Sequence, residues 1–252
     1  MKNFEEIKED ILNKAKTKGS CEEGYDEGCL ASNHIELLLV VKKHLPWLVE
    51  NKVVTAKSLE NDFGKEMLFE NDIYTSGEHS IVLKDLQSRE IKTLGSSQAT
   101  VKTLDSSQAT VETLDSSQAT VKTLDSSQAT VETLDSSQAT VKTWGSSQAT
   151  VKTWGSSQAT VKTLGSSQAT VETLDSSQAT VETLDSSQAT VETLGSSQAT
   201  VKTLDSSQAT VETLDSRSKL NHSLGDGELC TIKDISSKSI YMKKDKFNII
   251  FL

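Results

Sequence analysis

Apolar residues fall in two rhythms along this chain. Through the first 66 positions they recur three and four apart, the spacing of one helix face. From residue 91 they alternate with polar residues, and the pattern returns every ten positions. In the first region, Asn3 with Glu6 three residues on forms a helix start. A stripe of Ile7, Ile11, Leu12 and Ala15 follows, with a stop at Lys18 and Gly19. A second helix begins near Asn33, again with a glutamate three residues later, and presents Ile35, Leu38, Leu39, Val41 and Leu45 before Pro46 kinks or ends it. Thr55 caps a third over residues 56–68. Trp47, Leu48 and Phe63 are available between these helices, so residues 1–66 are expected to close a small helical head.

Residues 67–90 change to short β-type runs, Ile73-Tyr74 and Ile81-Val82-Leu83, split by Ser76-Gly77, and read as an opening cap. The repeat begins at Ile91. From Val101 each copy reads V-[K/E]-T-[L/W]-[D/G]-S-S-Q-A-T, and counted from Ile91 there are twelve full copies and one partial copy before register is lost after Arg217. Alternation across Gln98-Ala99-Thr100-Val101-Lys102 puts Ala and Val inward and Gln, Thr and the charged residue outward. Leu is counted with the buried side chains. Asp or Gly followed by Ser supplies the turn, because Asp and Ser side chains hydrogen-bond nearby backbone and Gly accepts positive φ.

The expected fold class is therefore mainly β: an elongated β-solenoid of ten-residue coils over residues 91–217, with the small α-helical domain before it and a β-rich C-terminal cap over 218–252. In that cap Gly225-Asp226-Gly227 marks a turn, and the apolar run from Phe247 to Leu252 closes the open rim. No single coil buries enough to stand alone, so the stack has to be cooperative and capped. Thirteen coils about 4.8 Å apart span roughly 60 Å.

With one coil per copy, Lys102, Glu112, Lys122 and Glu132 stack as opposite charges. Further along, Lys142, Lys152 and Lys162 gather beside Trp144 and Trp154 as a candidate interaction patch. Indoles flanked by ammonium groups suit a nucleic acid strand, a sugar or an acidic partner. Glu172, Glu182 and Glu192 form an acidic counterpart. From Val101 the full copies differ only by Lys for Glu, Leu for Trp and Asp for Gly, each a single base change in a codon, so they read as recent duplicates.

Residues 103–112, Thr-Leu-Asp-Ser-Ser-Gln-Ala-Thr-Val-Glu, resemble the AYDSATVE-like motifs repeated in a group of uncharacterised bacterial and phage-borne proteins, with Ser-Gln inserted. The head is similar to the same group through NFEEIKEDILNKAKTKGSC at 3–21 and SNHIELLLVVKKHLPWLVENKVV at 32–54. The resemblance implies a helical head and short β-repeats, and it implies no catalytic residue. The stretch from Trp144 to Thr150 is similar to the YGSTQT of bacterial ice-nucleation repeats, which resemble stacks of threonine ladders that order water. The period differs, and here Lys102 shares a face with Thr100, so charge borders the threonine column.

Composition narrows the function. A net charge of -10 repels phosphate backbones and anionic membranes at long range, so nucleic acid is not the expected partner. The most apolar run, Ile35 to Val41, is interrupted by Glu36 and is too short to span a bilayer. The first residues lack the apolar segment of a secretory signal. Cys21, Cys29 and Cys230 make an odd set without a disulfide framework, which places the expected home in a reducing cytoplasm. Cys21 and Cys29 with Asp26 and His34 do not have the spacing of a zinc site, so neither a metal nor another cofactor is expected. The repeats contain no histidine, and His34, His44, His79 and His222 lie in the flanks without a nucleophile elbow or phosphate loop. The chain is therefore read as a non-enzymatic structural or interaction protein, its partner a protein held through the helical head or through self-association. The alternative is a ligand-binding module using the Thr/Gln or Trp/Lys ladders.

Overall fold

A computed structural model describes residues 3–214, together with the strand backbones at 219–224, 229–234, 240–241 and 248–249. Six helices precede a parallel β-solenoid. The first helix, α1 (Phe4–Thr17), carries the expected capping box between Asn3 and Glu6 and buries Ile7, Ile11 and Ala15. A helix that the periodicity does not announce follows, α2 (Glu22–Leu30). Its N-terminus is capped by the Cys21 sulfur, and Gly28 admits the Leu12 side chain so closely that a Cβ there would sit 2.7 Å from Leu12 Cδ2.

The next helix, α3 (His34–Lys43), buries Leu37, Leu38 and Val41 and leaves Ile35 and Leu39 more than half exposed, so its core stripe is rotated from the expected one. Pro46 stands in the first turn of α4 (Leu45–Glu50), where its missing N–H costs nothing. The expected third helix is two, α5 (Ala56–Phe63) and α6 (Lys65–Glu70). They break at Gly64, whose φ of 80° lies where only glycine sits without strain.

The solenoid starts with β1 (Ile73–Leu83) and β2 (Ser88–Thr103), each running around a corner, and then adds one six-residue strand per repeat from Gln108–Thr113 to Gln208–Thr213. Each ten-residue copy is thus one strand and one turn, as expected. The stacking is not between consecutive copies, however. Gln108 pairs with Gln128 and Val111 with Val131, while Gln118 pairs with Gln138, so the ladder closes every twenty residues. The reason is geometric: a strand of six residues advances roughly 20 Å, and one turn only reverses it, so a second strand and turn are needed to come back.

Residues 73–214 make about seven circuits, roughly 30 Å of stacked rungs rather than 60 Å. The result is two parallel sheets back to back. Face A takes residues 88–93, 108–113, 128–133 and every twentieth residue after; face B takes 98–103, 118–123, 138–143 and so on. Strands on the two faces run in opposite directions.

Four positions of each copy point inward: Ala, Val, the threonine after the charged residue, and the second serine, as in Ala149, Val151, Thr153 and Ser157. Leucine does not, which corrects the expected core. It lies half-exposed at the corner after each strand, and only Leu94 and Leu114 are buried, under the helical head. The polar interior is satisfied by the ladder. The single Ser187 hydroxyl proton has Leu184 O at 2.7 Å and Thr163 O of the neighbouring rung at 3.1 Å as acceptors within reach, and Thr153 Oγ1 donates to Glu172 O at 3.3 Å. At the turn, Asp and Gly share one backbone conformation, with φ of 61° at Asp175 and 74° at Gly165. That shared left-handed geometry explains why these two residues alternate in the column.

In the tail, strand backbones at Lys219–Leu224 and Leu229–Asp234 continue the faces, pairing with residues 198–203 and 208–213. Asn248–Ile249 pairs with Thr231 and Ile232. The turn expected at Gly225-Asp226-Gly227 and the remainder of the apolar end lie outside the described residues.

Candidate functional site

Each face presents three straight outward columns. Along a strand they are the glutamine, the threonine before the valine, and the charged residue, as in Gln138, Thr140 and Lys142. Glutamine is exposed, threonine half-exposed to exposed, and the charged residue mostly half-exposed. Because partners stand twenty residues apart, the Lys and Glu copies are sorted between the two sides rather than interleaved.

The charged column of face B reads Lys102, Lys122, Lys142, Lys162, Glu182, Lys202. That of face A reads Lys92, Glu112, Glu132, Lys152, Glu172, Glu192, Glu212. One side is basic and the other acidic. The expected stack of Lys102 on Glu112 is therefore replaced by Lys102 on Lys122 and Glu112 on Glu132.

The candidate patch is divided by the same rule. Lys142 and Lys162 are neighbours on face B, and Trp144 stands at the corner that follows that face. Lys152 lies on face A between Glu132 and Glu172, with Trp154 at the opposite corner. The two indoles are both half-exposed but belong to different edges. Lys152 pairs with Glu172 at 3.1 Å, Lys162 with Glu182 at 3.1 Å, and Lys202 with Glu182 at 3.3 Å. Hydrogen bonds from Lys162 and Lys202 hold the Glu182 carboxyl below its ordinary range. Each minority charge is thus stacked on an opposite one, which is the arrangement a ladder tolerates best.

Next to the head the acidic face is closed. Lys92, 1% exposed, pairs with Glu90 at 2.7 Å and with Glu112, and Lys42 of α3 donates to Glu90 O at 2.9 Å. Burial raises the Glu112 carboxyl above its usual value in spite of Lys92, and its Oε2 has no hydrogen-bond partner. Open face A therefore runs from Glu132 to Glu212.

The head holds a small apolar cleft of ≈ 120 Å³ lined by Leu12, Cys21, Tyr25, His44 and Trp47 among others. At its edge Glu27 meets Lys43 at 2.5 Å and His44 Nε2 at 3.0 Å, and these hydrogen bonds keep its carboxyl low. Cys21 caps one end of α2 and Cys29 lies near the other, while His34 packs edge-on to Phe4. His79 stacks beside Tyr74, with ring centroids 4.4 Å apart, at the junction with the solenoid. Among the described residues, no three of these acidic, cysteine or histidine side chains form a metal-binding group.

No family model, curated protein or solved structure matches this chain. No helix among the described residues is long and apolar enough to cross a membrane. The two charged faces are what sequence reasoning missed. Their signal was present in the odd and even copies, and it became legible only with the twenty-residue ladder.

Proposed function

We propose that this chain is a non-enzymatic structural or interaction protein whose β-solenoid serves as a rigid platform. The helical head acts as its fixed base. One observation carries the reading: the two open faces repeat the same outward side chains rung after rung, with opposite charge on the two sides. A catalytic centre needs acid, base and substrate contacts that differ from one another at one place; the faces instead offer many equal contacts, which suits an extended partner. The odd cysteine count and the exposed thiols of Cys21 and Cys29 favour a reducing compartment.

Small-angle scattering of the full chain tests the platform. A rod cross-section constant along its length, with a cooperative loss of β signal on heating, supports it; the profile of a flexible coil overturns it. The reading of Trp144, Trp154, Lys142, Lys152 and Lys162 as one ligand patch is weakened by their division between two faces, so the partner is sought across a whole face instead.

A further inference from the structure

Resting on the platform reading, we infer that the partner of the solenoid is a second copy of this chain, acidic face A of one against basic face B of the next, with the rods antiparallel. The columns decide the direction. Strands on the two faces run oppositely, so copies related by simple translation set the charged column of face A against the glutamine column of face B. Turning the second copy end over end aligns charged column with charged column, threonine with threonine, and glutamine with glutamine.

The register then follows from the order of charges. In one alignment Glu132 faces Lys202, Lys152 faces Glu182, Glu172 faces Lys162, Glu192 faces Lys142, and Glu212 faces Lys122. Every pair is opposite, including the lone lysine of open face A against the lone glutamate of face B. Sliding by one rung sets Lys152 against Lys202 and Glu172 against Glu182; sliding the other way sets Glu132 against Glu182 and Lys152 against Lys162. The five matched positions of face A are also the five that the head leaves open. Among the described residues Glu192, Glu212, Lys122 and Lys142 make no ion pair, and this alignment matches them with each other.

Five rungs of six-residue strand measure roughly 24 by 20 Å. The contact buries about 1,000 Å² in total, at the lower edge of specific interfaces. Because the two surfaces differ, the contact does not close, and each added copy exposes a fresh face, so the product is a row of stacked rods.

The test uses the full chain under reducing conditions. Sedimentation velocity at low salt is expected to show dimers and longer species growing with concentration, reverting to monomer near 0.5 M salt, where screening acts within about 4 Å. One variant carries Glu192→Lys with Glu212→Lys, and another carries Lys122→Glu with Lys142→Glu. These half-exposed positions already exchange between Lys and Glu among the copies, and circular dichroism verifies the fold. Each variant alone is expected to stay monomeric, and an equimolar mixture to associate again. A wild type that is monomeric at every salt and concentration, or variants that do not rescue each other, overturn the pairing. So does a monomeric chain whose face B is occupied by an added polyanion. If scattering still shows a rod in those cases, the platform reading survives and only the self-pairing is lost.

Discussion

Val151 and Thr150 are adjacent in one strand and point to opposite sides of the sheet, so a pair of alanine substitutions measures which side is core. Val151 is fully buried and stacks between Val131 and Val171, whereas Thr150 is half-exposed in the outward column. Val151→Ala removes two methyl groups, about 1.6 kcal/mol of transfer free energy. The void between the two flanking valines cannot collapse without moving the ladder, and its cavity cost brings the loss to about 2–3 kcal/mol. Thr150→Ala takes nothing from the interior and should stay within about 0.5 kcal/mol. Urea unfolding followed by far-ultraviolet circular dichroism gives both values. Tryptophan fluorescence adds a local probe, because Trp144 and Trp154 flank the substituted rung. Equal losses at the two positions, or the larger loss at Thr150, would refute the assignment of faces.

In a background without the native thiols, Gln128→Cys with Gln148→Cys should oxidise to a disulfide. Gln128→Cys with Gln138→Cys should not, since the first pair are ladder neighbours and the second point outward from sheets about 10 Å apart; gel mobility before and after reduction reads the difference. Gly95→Ala should destabilise by about 2–5 kcal/mol, combining a left-handed φ of 67° with a Cβ placed 2.7 Å from Ala56 Cβ and 2.8 Å from Thr75 O. Gly165→Ala, with a nearest contact of 3.3 Å, should cost only about 1–2 kcal/mol in the same thermal melt. Hydrogen bonds from Thr75 (2.7 Å) and Ser76 (3.0 Å) hold the Glu60 carboxyl below its ordinary value, tying α5 to the first rung. That contribution is complete above about pH 4.5 and falls as pH drops through the lowered value, so the acid limb of a stability profile should be shallower in Glu60→Gln than in wild type.

Much of the fold was legible where local chemistry decides it. Asn3 and Glu6 announce α1 because both halves of the capping box are written in the sequence, and the Asp/Gly and Ser positions announce the turns because few residues accept that backbone. The helix α2 was not legible: Gly24 and Gly28 weaken its propensity, and it is held by the packing of Leu12 on Gly28, which only tertiary structure supplies. The burial of Thr153 and Ser157 was hidden for a related reason, since hydroxyls enter a core only when neighbouring rungs present carbonyls to them. Lys152 and Trp154 were grouped with Lys142 and Trp144 by nearness in sequence. A ladder that skips every other copy separates them, and no single copy encodes that skip.

The two-copy circuit gives the number of repeats a parity. Copies share their inward residues, so losing or gaining one of them leaves the core intact, yet it transfers every later strand to the opposite side. Removing residues 141–150, for example, would carry Lys162 into the acidic column and Glu172 into the basic one. Removing 141–160 would shorten the rod by one rung and leave each later residue on its own side. Recombination among near-identical copies therefore has two distinct products: even changes adjust length, and odd changes rewrite which charges share a surface while the protein still folds.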